Sequence, residues 1–163
     1  MTMKTIRYTL IFGGIALAVL TADQITKHLV TAYLPLNSGV EVISGYLNLV
    51  HVRNPGGAFG LLADSTSVAR FWFFIAISVT AMGVILWMML SSTVVDRWLL
   101  AAYALFFGGA LGNFVDRIRY REVIDFLDFH LGTLHWPAFN VADSALCVGV
   151  GLFLLHLVNT RDT

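Results

Sequence analysis

The sequence predicts an all-α membrane protein, a bundle of four transmembrane helices with a small β-sheet on one membrane surface. Three observations predict it. Hydrophobic residues make up 58% of the chain and charged residues only 12%, with a mean hydropathy of +0.78, a composition foreign to soluble domains of this size. Four apolar segments approach the length a bilayer demands. Between the first two, the chain alternates apolar and polar residues with the period of a strand.

The first apolar segment, Tyr8 to Ala22, continues as a helical pattern through Asp23, Gln24 and Lys27, so a span over about 8–27 that ends before Pro35 is expected. Lys4 and Arg7 ahead of it would also suit a cleavable leader. The unbroken pattern and the three later segments favour a retained span, and no leucine-rich run closing on a cysteine follows, so the chain is not expected to be a lipoprotein itself. The other segments are Phe71 to Leu90, Trp98 to Val115 and Val141 to Val158, predicting spans over about 69–90, 98–115 and 140–158. Trp72, Trp87 and Trp98 fall near span ends, where amphipathic rings anchor at the interface. Residues 1–163 are read as one integral membrane domain.

The first loop carries Val40 to Ile43 and Tyr46 to Val52, two strands turned by Ser44-Gly45, which would pair their backbone groups where water is scarce. NPGGAFG follows from Asn54, a glycine-rich turn suited to close backbone approach. Its echo, GGALG at Gly108 to Gly112, matches over five residues only. That is too little for an inverted repeat, and the third-span glycines are read as a close-packing face between helices.

Four spans place the chemistry on one side. Asp23 and Lys27 end the first span, Asn54 lies in the first loop, and Asn113, Asp116 and Arg117 end the third. Asp125 lies in the third loop, and Asn140 and Asp143 open the fourth span. Basic residues are spread over both sides, so the positive-inside rule does not decide orientation; the basic N-terminal tail, which has no acids, favours a cytoplasmic start and an outward-facing polar cluster.

Formal net charge is zero, with ten basic and ten acidic residues, so no polyanionic partner such as nucleic acid is expected. The single cysteine, Cys147, has no partner for a disulfide or a metal site and is expected to be a small buried hydrophobe. His130, His135 and Asp128 share the third loop without any metal-binding motif, and Ser144 has no nucleophile motif around it.

An acid at the edge of an apolar span is expensive and is therefore a functional candidate. Asp143 opens a span, and Asp125 precedes it on the same side. Either could be satisfied by an arginine such as Arg117, or Asp143 by the dipole of its helix. Together they suggest a dyad in which close carboxylates share a proton, one activating water while the other protonates a carbonyl. Asp128 competes with Asp125 for the second place. Asn54, Asn113 and Asn140 are amides able to grip an extended peptide.

In order and spacing, DQITK at Asp23, NPGGAFG at Asn54, GGALGNFVDR at Gly108, VIDF at Val123 and WPAFNVAD at Trp136 resemble the motifs of bacterial lipoprotein signal peptidase, signal peptidase II. The resemblance covers essentially the whole chain. It implies an aspartyl endopeptidase of the bacterial inner membrane that cleaves diacylglyceryl-modified prolipoproteins immediately before the lipidated cysteine. Asp125 and Asp143 match the family's catalytic pair. Asp23, Lys27, Asn54, Asn113, Arg117 and Asn140 match its supporting motif residues, and Gly56 and Asp116 complete the expected supporting set.

The resemblance also implies cytoplasmic termini, a site near the periplasmic face, and a first loop made of a surface sheet plus a mobile segment over the substrate. The expected partners are the lipid-modified prolipoprotein and membrane lipid, acting on a monomer without metal or organic cofactor. A small ion-coupled transporter is the rival from another class, and it would place its acids at the bilayer midplane in broken helices. A purely structural membrane protein would tolerate neutral substitution of both acids.

Overall fold

The computed structural model describes residues 3–56, 67–91 and 96–161, with side chains over 6–56, 68–91 and 96–159. The rest of the glycine-rich turn beyond Gly56, the segment expected to cover the substrate and most of the second connection lie outside the described residues. Among the described residues are four helices, α1 (Met3–Tyr33), α2 (Ser67–Ser91), α3 (Arg97–Tyr120) and α4 (Val141–Arg161), and four strands, β1 (Gly39–Ile43), β2 (Leu47–Asn54), β3 (Val123–Leu131) and β4 (Leu134–His135). All four helices are long and apolar enough to cross a membrane.

Two helices outrun their expected spans, α1 passing 27 and α3 passing 115. Both run on through polar residues because those residues point into the bundle, with Asp23, Lys27, Asn113 and Asp116 all buried. α1 stops just short of Pro35, which cannot donate to a helix and disfavours it in the residue before. α3 starts on Asp96, whose carboxylate accepts the Leu99 N–H at 2.8 Å, and ends on Arg121 in the left-handed region at φ 62°.

α3 is the axis of the bundle and packs against the other three helices. Half of its apolar window is buried, against 17% or less in the others, whose side chains face outward. Lipid supplies no hydrophobic drive for such packing, so backbones must approach closely. The glycines of GGALG allow it: a Cβ on Gly108 would lie 2.9 Å from the Ala16 carbonyl of α1, and one on Gly109 would lie 2.6 Å from the Ala142 carbonyl of α4. Cys147 departs from expectation, being exposed on α4. On a membrane-spanning helix the outward face meets hydrocarbon, so an apolar residue need not be buried in protein.

The sheet is antiparallel in the order β1-β2-β3-β4. β1 and β2 lie where alternation predicts them. The third loop, however, is not a loop: Asp125 sits within β3, opposite Val52 of β2. β3 is buried from Val123 to Phe126 without alternation, so its strand period is hidden, as in strands covered on both faces. Beyond β4, Phe139 exchanges backbone hydrogen bonds with Leu127, donating at 3.0 Å and accepting at 2.8 Å. This holds the chain beside β3 just before α4 begins.

Candidate active site

The site is assembled from the start of α4 outward. Asn140 caps the helix: its Oδ1 accepts the Asp143 N–H at 2.9 Å, and Asp143 Oδ2 receives the Asn140 N–H at 3.2 Å. This reciprocal pair is a capping box, satisfying two donors that every helix start leaves open. The same box aims the free side of Asn140 at β3, where Nδ2 donates to Asp125 Oδ1 at 2.7 Å. One asparagine therefore holds both acids.

Two other amides complete the frame. Asn54 Nδ2 donates to the second oxygen of Asp125 at 2.9 Å, and Asn113 Nδ2 donates to Asp143 Oδ1 at 2.8 Å. Gly56 returns its N–H to Asn54 Oδ1 at 2.9 Å, fixing which end of that amide faces the acid. Its φ of +93°, and the overlap a Cβ would make with the Phe74 ring, explain a glycine here.

Beneath the amides lies a buried ionic cluster. Lys27 Nζ reaches Asp23 and Asp116, both at 2.8 Å, and all three side chains are almost fully buried. Lys27 also donates to Asn113 Oδ1 at 3.1 Å. Asp23 accepts the Ala142 N–H of α4 at 2.9 Å, and Asp116 accepts the Ile124 N–H of β3 at 3.2 Å. The cluster thus fastens both acid-bearing elements to α1 and α3. Asp116 pairs with Lys27, not with the adjacent Arg117 as its sequence neighbourhood allows.

Arg117 lies beside the acids without a salt bridge to either among the described residues. It donates to the Asn113 carbonyl at 3.3 Å, and its guanidinium stands 5.0 Å from the Phe74 ring centroid. Asp128 is separated from the dyad: it accepts from Asn48 at 2.9 Å and from His135 at 2.9 Å. Against the upward pull of burial, these bonds hold its carboxyl below the usual range. His135 also stacks on His130, and Ser144 bonds the Asn140 carbonyl.

Asp125 and Asp143 face one cavity of about 550 Å³, walled by β2 and by Trp136 to Phe139. Asp143 also borders a second, largely apolar cavity of about 510 Å³ between α2, α3 and α4, with Phe74, Asn113 and Arg117. Burial pushes the Asp125 carboxyl up to about 6; the nearby Asp143 charge adds to the rise, and bonds from Asn54 and Asn140 oppose it. Asp143 is the lining residue that the two cavities share.

Asp125, Asp143 and the supporting residues named from sequence lie together here, whereas Asp128, the competitor for the second acid, stands apart with Asn48 and His135. Gln24 was overlooked as a candidate: its Nε2 donates to Asp116 at 2.9 Å and Asp23 at 3.2 Å. Its place inside DQITK, a polar run ending a span, was the available signal.

A family model described as signal peptidase (SPase) II matches residues 15–159. Among curated proteins, the lipoprotein signal peptidase of Oleidesulfovibrio alaskensis is 49% identical over 83% of this chain and 86% of its own. That of Desulforapulum autotrophicum is 45% identical over 86% of each chain. Two solved structures, described as a bacterial membrane enzyme studied by the in meso method, superimpose with TM-scores of 0.81 and 0.79. Both are 32% identical, covering 92% and 90% of this chain and 88% and 91% of theirs.

Proposed function

This chain belongs to the signal peptidase II family of membrane aspartic peptidases, and on that premise we propose that it cleaves diacylglyceryl-modified prolipoproteins immediately before the lipidated cysteine, using Asp125 and Asp143. The observation that carries this reading is the position of Asp143, which borders both the apolar cavity among the helices and the polar cavity it shares with Asp125. A lipid-anchored peptide arriving sideways in the bilayer would lay its apolar part in the first and its scissile bond in the second. The proposed topology has termini in the cytoplasm and the site at the periplasmic face of the inner membrane.

In this mechanism one carboxyl enters protonated and the other ionised. The ionised member takes a proton from water as the water oxygen attacks the carbonyl carbon, and the protonated member donates to the carbonyl oxygen. The tetrahedral intermediate collapses as the leaving nitrogen gains a proton and the C–N bond breaks. The products are a signal peptide with a new carboxylate and a lipoprotein with a free cysteine amine. Asn54, Asn113 and Asn140 keep each carboxyl's remaining lone pairs occupied, so the reacting oxygens are fixed before substrate arrives. Asp23, Lys27 and Asp116 hold the frame, and Arg117 stands where it can meet a substrate carbonyl.

The described helices are continuous and the acids stand at a helix start and in a strand, unlike the midplane sites of broken helices in transporters. The test is incubation of purified protein with a diacylglyceryl-modified precursor and with the same precursor unmodified, followed by mass measurement. Cleavage of the modified form alone, before cysteine, and its loss in Asp125→Asn and Asp143→Asn, is expected. Wild-type turnover by either variant would overturn the dyad.

A further inference from the structure

The two cavities of the candidate site leave a third feature unused, a groove of about 480 Å³ between the ends of α1 and α3. We propose that it binds an anionic glycerophospholipid of the surrounding membrane. Its lining has the layout of an amphiphile: Leu20, Ile25 and Val115 give an apolar channel, and Gln24, His28 and Arg119 gather beside it. It shares no lining residue with the cavities that hold Asp125 and Asp143, so the proposal stands independently of the peptidase reading.

Charge selects the occupant. Arg119 is exposed and makes no ion pair among the described residues; it has a 3.4 Å hydrogen bond to Gln24 Oε1. Asp23 and Asp116, the acids that Gln24 bonds, are buried and face Lys27. An unneutralised guanidinium at the rim of an apolar, outward-facing groove suits a phosphate with its acyl chain below, the arrangement of basic lipid sites between membrane helices. His28, also exposed, offers a second donor on the same rim. Through Gln24, which bonds both Asp23 and Asp116, a bound headgroup would sit one hydrogen bond from the buried cluster.

The test is native mass spectrometry of the delipidated full chain, titrated separately with phosphatidylglycerol and with phosphatidylcholine of the same acyl chains. Preferential retention of phosphatidylglycerol is expected, with Arg119→Gln weakening it about fivefold, the effect of one basic residue near an anionic lipid. Arg119→Lys, which keeps the charge, should retain the preference, separating loss of charge from loss of fold. Ile25→Trp, which fills the groove, should lower binding of both lipids. Equal retention of the two lipids by the wild type, or undiminished phosphatidylglycerol binding by Arg119→Gln, would overturn the site.

Discussion

Asn140 donates from its side chain to Asp125 at 2.7 Å while its own backbone N–H is accepted by Asp143 at 3.2 Å, so a helix cap and an acid clamp are one residue. Asn140→Ala should cost about 1 kcal/mol through the lost cap and lower turnover by roughly a hundredfold through loss of the fixed geometry. Asn140→Asp keeps a capping oxygen but sets a third carboxylate against the dyad. Because position 140 is fully buried and the side-chain donor to Asp125, Asn113 and the Ile124 carbonyl is lost, thermal stability and turnover should both fall in that variant. Equal turnover by Asn140→Asp and wild type would show that the clamp is not needed.

Acidity gives a second prediction. The folded Asp125 carboxyl titrates at about 6, against an ordinary value of 3.8. Because the folded value is the higher one, its contribution to stability is complete below 3.8 and is lost as pH rises through about 6. The loss amounts to roughly 3 kcal/mol. Asp125→Asn cannot ionise, so its unfolding temperature in detergent should fall less than that of the wild type between about pH 4 and 7. Parallel curves for the two proteins would refute the linkage.

Lys27 supplies a third. It is the shared cation of two buried aspartates, 2.8 Å from each. Lys27→Met keeps the volume but leaves uncompensated charge in the bundle, so a loss of about 3–5 kcal/mol is expected. Denaturation in mild detergent reads it directly. A variant as stable as the wild type would mean that Asp23 and Asp116 are satisfied without the ammonium.

A fourth concerns packing. A Cβ on Gly112 would fall 2.6 Å from Asp23 Oδ2 and 3.2 Å from the Ala142 side chain, whereas Gly13 has nothing within 4 Å. Gly112→Ala should push α1 and α4 off α3 and cost about 1–3 kcal/mol, as overpacking does, with activity falling alongside. Gly13→Ala should change neither. Similar behaviour of the two variants would deny the interface its proposed tightness.

What sequence could and could not convey follows from how each signal arises. Span existence was legible because hydrocarbon demands long apolar runs, and β1 and β2 were legible because one face of each alternates in polarity. β3 escaped because its first half is buried on both sides, leaving an apolar run that looks like neither period. The candidate residues were legible as motifs, but their wiring was not. Asp23 and Lys27 stand one turn apart, a spacing common to exposed helix pairs. Only the arrival of Asp116 from α3 turns them into a buried triad. Likewise, nothing local to Asn140 announces that its cap also reaches Asp125 on the neighbouring strand.

The bond from the Ala142 N–H to Asp23 joins residues 119 positions apart. Asp143 and the Ala142 amide that bonds Asp23 belong to the last helix and Asn140 caps it, so during synthesis the first three helices can enter the bilayer with an incomplete centre. The proposed centre is then completed late, when α4 packs against α1 and α3. A truncation that removes α4 would take Asp143 with it, along with the seal between the first helix and the last.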